Sequence, residues 1–266
     1  MDERAPVLEI DRLVVAFPTR GVGASFRAVD EVSFTLGAGE VLGLVGESGS
    51  GKTTLGKTVL RLYPPRGGRI LFQGRDISAM GERALRPLRR TMQMVFQDPL
   101  SSFNPRQRIG EALALPLRLH GIATGRQVGP AVVGLLRRVG LPEGFRGRYP
   151  HELSGGQLQR VAIARALSLA PSLVVADEPV SKLDVSVRAQ ILNLFRDMQR
   201  ESGVAMLFIT HDLRVARYLC DRIAVMRRGK IVELGATEQI FSAPAHAYTR
   251  MLLGHDKAAE EIPLLA

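Results

Sequence analysis

The chain has one cysteine, Cys220, among its 266 residues. A single thiol can form neither an internal disulfide nor a four-cysteine zinc site, so Cys220 reads as a small buried apolar residue. Long apolar runs are missing as well. The stretch Val204-Ala205-Met206-Leu207-Phe208-Ile209 is among the longest, and it falls far short of the roughly 18 residues that a membrane span requires. The start, Met1-Asp2-Glu3-Arg4, carries acids and leads into no apolar segment. That argues against a secretory leader and for a cytoplasmic chain. There is no internal repeat and no low-complexity tract, and the last ten residues read as a loose tail. With 45% hydrophobic and 23% charged residues, one or two ordinary globular domains with a sizeable core are expected.

Acidic residues are the scarcer charge, 26 against 36 Lys and Arg, for a net +10. Such an excess suits nucleic acid. The arginines, however, are dispersed along the whole chain (Arg61, Arg126, Arg160, Arg188, Arg227), with only a small cluster at Arg86, Arg89 and Arg90. A solvated basic surface near an anionic membrane leaflet accounts for that spread better than specific nucleic-acid binding.

What is present is glycine in a telling place. Gly46-Glu47-Ser48-Gly49-Ser50-Gly51-Lys52-Thr53 fits the pattern G-x-x-x-x-G-K-[ST], whose glycines let backbone N–H groups wrap a polyphosphate without Cβ clashes. The apolar run Val41-Leu42-Gly43-Leu44-Val45 reads as a buried strand entering that loop. Leu55, Val59 and Leu62 follow at helical spacing, up to Pro64-Pro65. In this setting Lys52 is placed to reach the β and γ phosphates, and Thr53 offers a hydroxyl to Mg²⁺.

Elsewhere the pattern alternates. Residues 7–17 and 28–36 read as strands with a turn at Gly21-Val22-Gly23, residues 69–73 as a short strand, and 92–96 as another. Residues 109–140 are mostly helical, interrupted by glycine and proline, and suggest an inserted helical subdomain. Ser154 and Gln157 form a capping box, with Leu153 and Leu158 as a hydrophobic staple. The helix they start runs towards Pro171. Leu173-Val174-Val175-Ala176 then leads to Asp177-Glu178. Asp184 is expected to cap a helix with Val187, Ile191, Leu194 and Met198 on one face and Gly203 beyond its end. A strand at 204–209, a helix near 212–220 and a hairpin around Gly229 complete an α/β alternation with a largely parallel sheet.

The remaining chemistry follows from strand ends. Asp177 and Glu178 close an apolar strand, where α/β sheets present ligands. Asp177 is positioned to hold Mg²⁺, and Glu178 to polarise the water that attacks the γ-phosphorus. His211 ends the next strand and can contact the γ-phosphate. Gln97 closes its own strand with a side chain that both donates and accepts, able to meet Mg²⁺ or the attacking water and then swing away. Ser154 with Gly155 and Gly156 opens a helix N-terminus on which an anion can rest. The loop and this helix end can meet one γ-phosphate if two chains lie head to tail.

In order, Gly46 to Thr53, Gln97, Leu153-Ser154-Gly155-Gly156-Gln157, Asp177-Glu178, Ser181-Lys182-Leu183-Asp184 and His211 resemble the nucleotide-binding subunits of ABC transporters. The resemblance implies a RecA-like P-loop NTPase core, a small antiparallel β subdomain and an inserted α-helical subdomain around 98–165. These lie within a nucleotide-binding domain of residues 1–235, followed by a C-terminal extension of 236–266. It implies ATP, with Mg²⁺ on Thr53, Gln97 and Asp177, sandwiched at a dimer interface. The nucleotide positions would be Gly46, Ser48, Gly49, Ser50, Gly51, Lys52, Thr53 and Thr54 on one side, and Ser154 to Gln157 with Asp184 on the other. Lys52, Gln97, Glu178 and His211 would be catalytic. Phe17 would stack on adenine, with Phe26 a nearby competitor.

Finer segments resemble the dipeptide, oligopeptide and nickel importer subfamily. These are Gly46-Glu47-Ser48-Gly49-Ser50, Phe96-Gln97-Asp98-Pro99, Ser102-Phe103-Asn104-Pro105-Arg106, Arg148-Tyr149-Pro150-His151-Glu152 and Asp184-Val185-Ser186-Val187-Arg188-Ala189-Gln190. That implies an importer ATPase at the cytoplasmic face of the inner membrane, beneath two transmembrane permease subunits. It would pair with a homologous ATPase, commonly a different one, or with itself, and a solute-binding protein would take part indirectly. An ABC ATPase of another transporter, or one acting on nucleic acid or ribosomes, is the alternative. Two departures stand out. Lys182 replaces the usual alanine, and His246-Ala247-Tyr248-Thr249 carries alanine where the subfamily has proline.

Overall fold

The computed structural model describes residues 5–18 and 25–256. The N-terminal four residues, the turn expected at Gly21-Val22-Gly23 and the last ten residues lie outside them. Strand β1 (Leu8–Pro18) pairs antiparallel with β2 (Ser25–Leu36). Its buried residues Leu8, Ile10, Leu13 and Val15 break strict alternation between 10 and 13. The cause is an irregularity at Arg12, which takes a left-handed φ of 45° and gives its N–H to Ser33 Oγ at 2.8 Å. Next come β3 (Val41–Val45), helix α1 (Lys52–Val59), β4 (Gly67–Phe72) and β5 (Arg75–Asp76). Together β2-β1-β4-β5 form a four-stranded antiparallel sheet, the small β subdomain expected from the resemblance.

The chain continues through α2 (Glu82–Leu85), β6 (Met92–Val95), α3 (Ile109–Leu119), α4 (Val128–Arg138), α5 (Gly155–Leu167) and β7 (Leu173–Asp177). Then follow α6 (Val185–Ser202), β8 (Ala205–Thr210), α7 (Leu213–Leu219), β9 (Arg222–Arg227), β10 (Lys230–Ala236), α8 (Thr237–Ser242) and α9 (Ala247–Asp256). A second sheet has the order β10-β9-β3-β8-β7-β6, parallel throughout except for β10. Every residue of β3, β7 and β8 is buried, as strands covered on both faces must be.

Three apolar clusters follow from this arrangement. One joins the antiparallel sheet to α1 and one face of the parallel sheet through Leu8, Leu44, Leu55 and Leu207. Another packs α5, α6 and α7 on the opposite face, with Ile163, Phe195 and Ala216. The third holds α3 and α4 on α5 through Leu113, Val132 and Val161. Helix α5 thus belongs to two clusters and ties the helical insert to the sheet.

Some local expectations shift. Helix α1 ends at Val59, stopped by the left-handed Arg61 (φ 55°) rather than by the prolines, so Leu62 lies past the helix and is exposed. Asp184 stands at the N-cap of α6, yet its side chain makes no capping bond. The buried face of α6 is Ile191, Leu192, Phe195 and Met198, while Val187 and Leu194 are only partly covered. Gly203 closes the helix at φ 64°, as expected. Ser154 does cap α5: Gln157 N–H donates to Ser154 Oγ (3.3 Å), and Ser154 N–H donates to Gln157 Oε1 (3.0 Å).

Candidate active site

Parallel strands with one direction put all their carboxyl ends on one edge, and β3, β8, β7 and β6 are neighbours there. The phosphate loop leaves β3, Asp177 ends β7, His211 follows β8, and Gln97 follows β6 by two residues. The topology therefore brings together four segments that lie far apart in sequence, from Gly46 to His211. Between them lies a cleft of about 810 Å³, lined by Gly46 to Gly49, Gly51 to Thr54, Gln97, Glu178 and His211.

The loop's shape depends on its glycines. Gly46 has φ 153°, and a Cβ there would lie 2.1 Å from the Met226 carbonyl oxygen; at Gly51 (φ 107°) it would lie 2.2 Å from the Ala28 carbonyl oxygen. No L side chain fits either position. Lys52, only 4% exposed, folds back inside the loop. Its Nζ donates to the Gly46 carbonyl at 2.7 Å and the Glu47 carbonyl at 2.8 Å. Burial pulls the ammonium's pKa below its ordinary value, and the charges of Glu178, Asp177 and Glu47 resist the change.

Thr53, on the cleft wall, donates its Oγ1 hydroxyl to Asp177 Oδ1 at 2.9 Å, while Asp177 itself does not line the cleft. Asp177 is 4% exposed. Burial pushes its carboxyl up, the Thr53 hydrogen bond pulls it down, and the neighbouring Glu178 charge adds to the rise. A buried carboxylate with too little positive charge beside a hydroxyl offers hard oxygen donors that suit Mg²⁺. No group of three or more His, Cys, Asp or Glu among the described residues could hold a metal alone. Mg²⁺ is typically held by one or two carboxylates and completed by phosphate oxygens and water.

Glu178 sits just past β7 with φ 44°, a left-handed backbone that costs a β-carbon residue about 1–2 kcal/mol. Its N–H is tied to the Ile209 carbonyl at 3.0 Å. Two side chains meet its Oε2: Gln97 Nε2 donates at 3.2 Å and His211 Nδ1 lies at 3.1 Å. Gln97 Nε2 also reaches Ser181 Oγ at 3.3 Å. Both contacts to Glu178 fall on Oε2.

At the mouth, Phe17 and Phe26 face each other in register on β1 and β2, 37% and 57% exposed. Phe17 is steadied edge-on by Tyr63, with ring centroids 5.6 Å apart, whereas Phe26 is the freer ring.

Ser154, Gly155, Gly156 and Gln157 do not line this cleft, and neither do Ser50 or Asp184. Gly155 instead lines a second cavity of about 370 Å³ with Leu153, Gln97, Lys182 and Leu183. The two glycines differ in what they allow. A Cβ on Gly155 would have ordinary room, 3.8 Å from Leu183, but on Gly156 it would lie 2.4 Å from Val187 Cγ1. Gly156 is thus required by the packing of α5 on α6. Residues that sequence reasoning passed over also line the cleft: Ala28, Leu213 and Leu252. Leu252 lies some 200 residues from the loop, and no local pattern connects them.

A profile described as ABC transporter matches residues 29–181, more than half of the chain. The chain belongs to the ABC transporter family. Among curated relatives of this cassette, the glutathione import ATP-binding protein GsiA of Escherichia coli (strain K12) is 49% identical over 260 residues, covering 96% of this chain and 42% of that protein. GsiA of Salmonella paratyphi A is 49% identical over 256 residues, covering 94% and 41%. The cassette thus spans less than half the length of these relatives. Among solved structures, a dimeric post-hydrolysis state of the ATP-binding cassette MJ0796 bound to ADP and Pi superposes with a TM-score of 0.79 at 28% identity, covering 86% of this chain and 98% of that one. The cbiO1 protein of Clostridium perfringens, part of the ABC transporter complex cbiONQ, gives 0.78 at 26%, covering 90% and 92%. No helix among the described residues is long and apolar enough to cross a membrane.

Proposed function

We propose that this cassette hydrolyses ATP to power an importer of short peptides, bound beneath two membrane-spanning permease subunits on the cytoplasmic face of the inner membrane. The observation that carries hydrolysis is the carboxylate of Glu178, held by Gln97 and His211 on one oxygen, at the edge of a cleft that also presents Lys52 and Thr53, the latter bonded to Asp177. In this reading the loop N–H groups and Lys52 cradle the triphosphate, and Phe17 takes the adenine. Thr53, Asp177 and Gln97 would hold Mg²⁺, which would supply positive charge to offset the negative charge developing on the phosphates. Glu178 Oε1 orients the attacking water and receives its proton. His211, on the far side of the same carboxylate, fixes its direction and reaches towards the terminal phosphate.

The serine-capped end of α5 lies outside the cleft; in this reading it serves the nucleotide of a second cassette, a homologue or another copy, arranged head to tail. MJ0796 forms a dimer bound to ADP and Pi, which supports an assembly of two cassettes. Likeness to glutathione import proteins weighs for a peptide over nickel. The test is uptake of labelled glutathione, a dipeptide and Ni²⁺ in cells lacking the gene, restored with wild type or Lys52→Ala. Peptide uptake should return with wild type alone. Loss of Ni²⁺ uptake only, or an ATPase stimulated by DNA or ribosomes without copurifying permeases, would overturn the proposal.

A further inference from the structure

The segment after β10 is wired to the start of the phosphate loop, a connection that the catalytic assignments above do not use. Tyr248, in the first turn of α9, is 2% exposed and belongs to the cluster beneath α6 and α7. Its Oη accepts the Glu47 N–H at 3.2 Å. Above its ring the Arg227 guanidinium lies 4.6 Å from the centroid. Arg227 ends β9, directly after Met226, whose carbonyl oxygen stands where a Cβ on Gly46 would have to fit. The first two loop residues are therefore held between the end of β9 and α9. Helix α9 is itself moored to β10, since the Glu233 carboxylate accepts the N–H groups of Ala245 (2.7 Å) and His246 (3.0 Å). One turn beyond Tyr248, Leu252 forms part of the cleft wall.

We infer that Tyr248 is a positioning residue for nucleotide binding, with α9 acting as a brace that holds the Glu47 peptide in the geometry the loop needs. The reasoning turns on Lys52. Its three N–H groups have the Gly46 and Glu47 carbonyls as close partners, and reaching two phosphates at once requires it to give up at least one of them. The Glu47 carbonyl keeps the Ser50 N–H at 3.2 Å, but the peptide that joins Gly46 to Glu47 loses its hold on the carbonyl side when Lys52 leaves the Gly46 oxygen. The Tyr248 contact, on the N–H side, does not depend on Lys52 and keeps the peptide in place. A brace of this kind acts equally on bound substrate and transition state, so its loss raises KM and leaves kcat nearly alone.

This inference rests on the ATPase reading. The experiment uses the purified full chain and the variant Tyr248→Phe, which keeps the ring, its burial and the Arg227 contact and removes only the hydroxyl. ATPase kinetics and the Kd of a fluorescent ATP analogue are measured with the melting temperature in the absence of nucleotide. KM and Kd should rise about fivefold, because one neutral hydrogen bond contributes ~1 kcal/mol, while kcat stays within about twofold. Wild-type KM and Kd in a folded Tyr248→Phe protein, or a fall in kcat at unchanged KM, would overturn the brace. Should that variant fail to fold, Glu233→Gln loosens the mooring of α9 instead. A raised KM there supports the inference, and an unchanged KM overturns it. If the wild-type chain neither binds nor hydrolyses ATP, the underlying ATPase reading has failed, which is a separate result.

Discussion

Gly156→Ala tests what the second glycine of the serine-capped helix is for. The added Cβ would stand 2.4 Å from Val187 Cγ1, about 1 Å inside an ordinary contact that begins near 3.4 Å. Val187 cannot turn away cheaply, because a β-branched side chain in a helix has essentially one χ1 rotamer. Overpacking of this kind costs roughly 1–3 kcal/mol. Against it stands the helix preference for Ala over Gly, at most about 1 kcal/mol in a helix interior and less in the first turn, where Gly156 sits. The net expectation is a loss of about 1–2 kcal/mol, read as a lowered urea midpoint at unchanged m-value. Val187→Ala opens space for the new methyl, so the double variant should recover most of that loss relative to Val187→Ala alone. A Gly156→Ala protein as stable as wild type, or a double variant with no recovery, would refute the packing argument. The same pair separates stability from chemistry. If ATP turnover returns in the double variant, Gly156 matters through packing and the anion-facing position is Gly155.

Lys52→Ala should bring turnover below detection, since the variant loses both the phosphate-facing charge and the two loop carbonyl bonds; steady-state phosphate release measures it. Glu178→Gln keeps the size of the side chain but removes the base, and it should lower kcat by about 100-fold or more. With ATP it should run as a dimer on a sizing column, so a variant that stays monomeric with ATP bound counts against the head-to-tail arrangement. Burial pushes the Cys220 thiol above its ordinary 9.0. The sign follows: above pH 9 the unfolded chain releases a proton that the folded chain keeps, so stability falls as pH rises. Cys220→Ala should flatten that alkaline limb of the urea midpoint. In wild type, thiol reagents should label Cys220 only as fast as the chain unfolds.

Most of the site could be read from the sequence because its determinants are local. A glycine loop needs its spacing to wrap a phosphate, and a strand that ends in Asp177-Glu178 presents both carboxylates at a sheet edge whatever else the chain does. The capping box at Ser154 is likewise a four-residue event, and it forms as read. What failed to show depends on distance. That Gly156 answers to Val187 is a contact between helices, invisible to a motif in which both glycines look alike. Tyr248 reaches Glu47 across 201 residues from a segment whose sequence shows only a short aromatic pattern. Asp184 illustrates the opposite error: it occupies a cap position by sequence, but its side chain makes no capping bond. At the end of α1, the expected proline stop is preceded by a left-handed arginine, which no propensity favours.

The geometry also says where a change in the cleft would be felt. Among the described residues, Gln97 alone lines both cavities, and its amide is shared between Glu178 and Ser181. The chain beyond it is short and tightly held. Six residues on, Phe103 lies under the Arg165 guanidinium at 4.2 Å, and Arg165 donates to the Ser102 carbonyl at 2.7 Å. Arg165 stands on α5, the helix that begins at Ser154. On the proposed mechanism, Glu178 changes its partners during hydrolysis, Gln97 must find new ones, and the strain would fall on a segment clamped to the helix whose other end would face the second cassette. Arg165→Lys tests that chain of contacts, because it keeps the charge and loses the planar stack. It should leave ATP affinity near wild type while weakening the coupling between ATP turnover and peptide uptake. Wild-type uptake per ATP in that variant would show that the clamp is structural only.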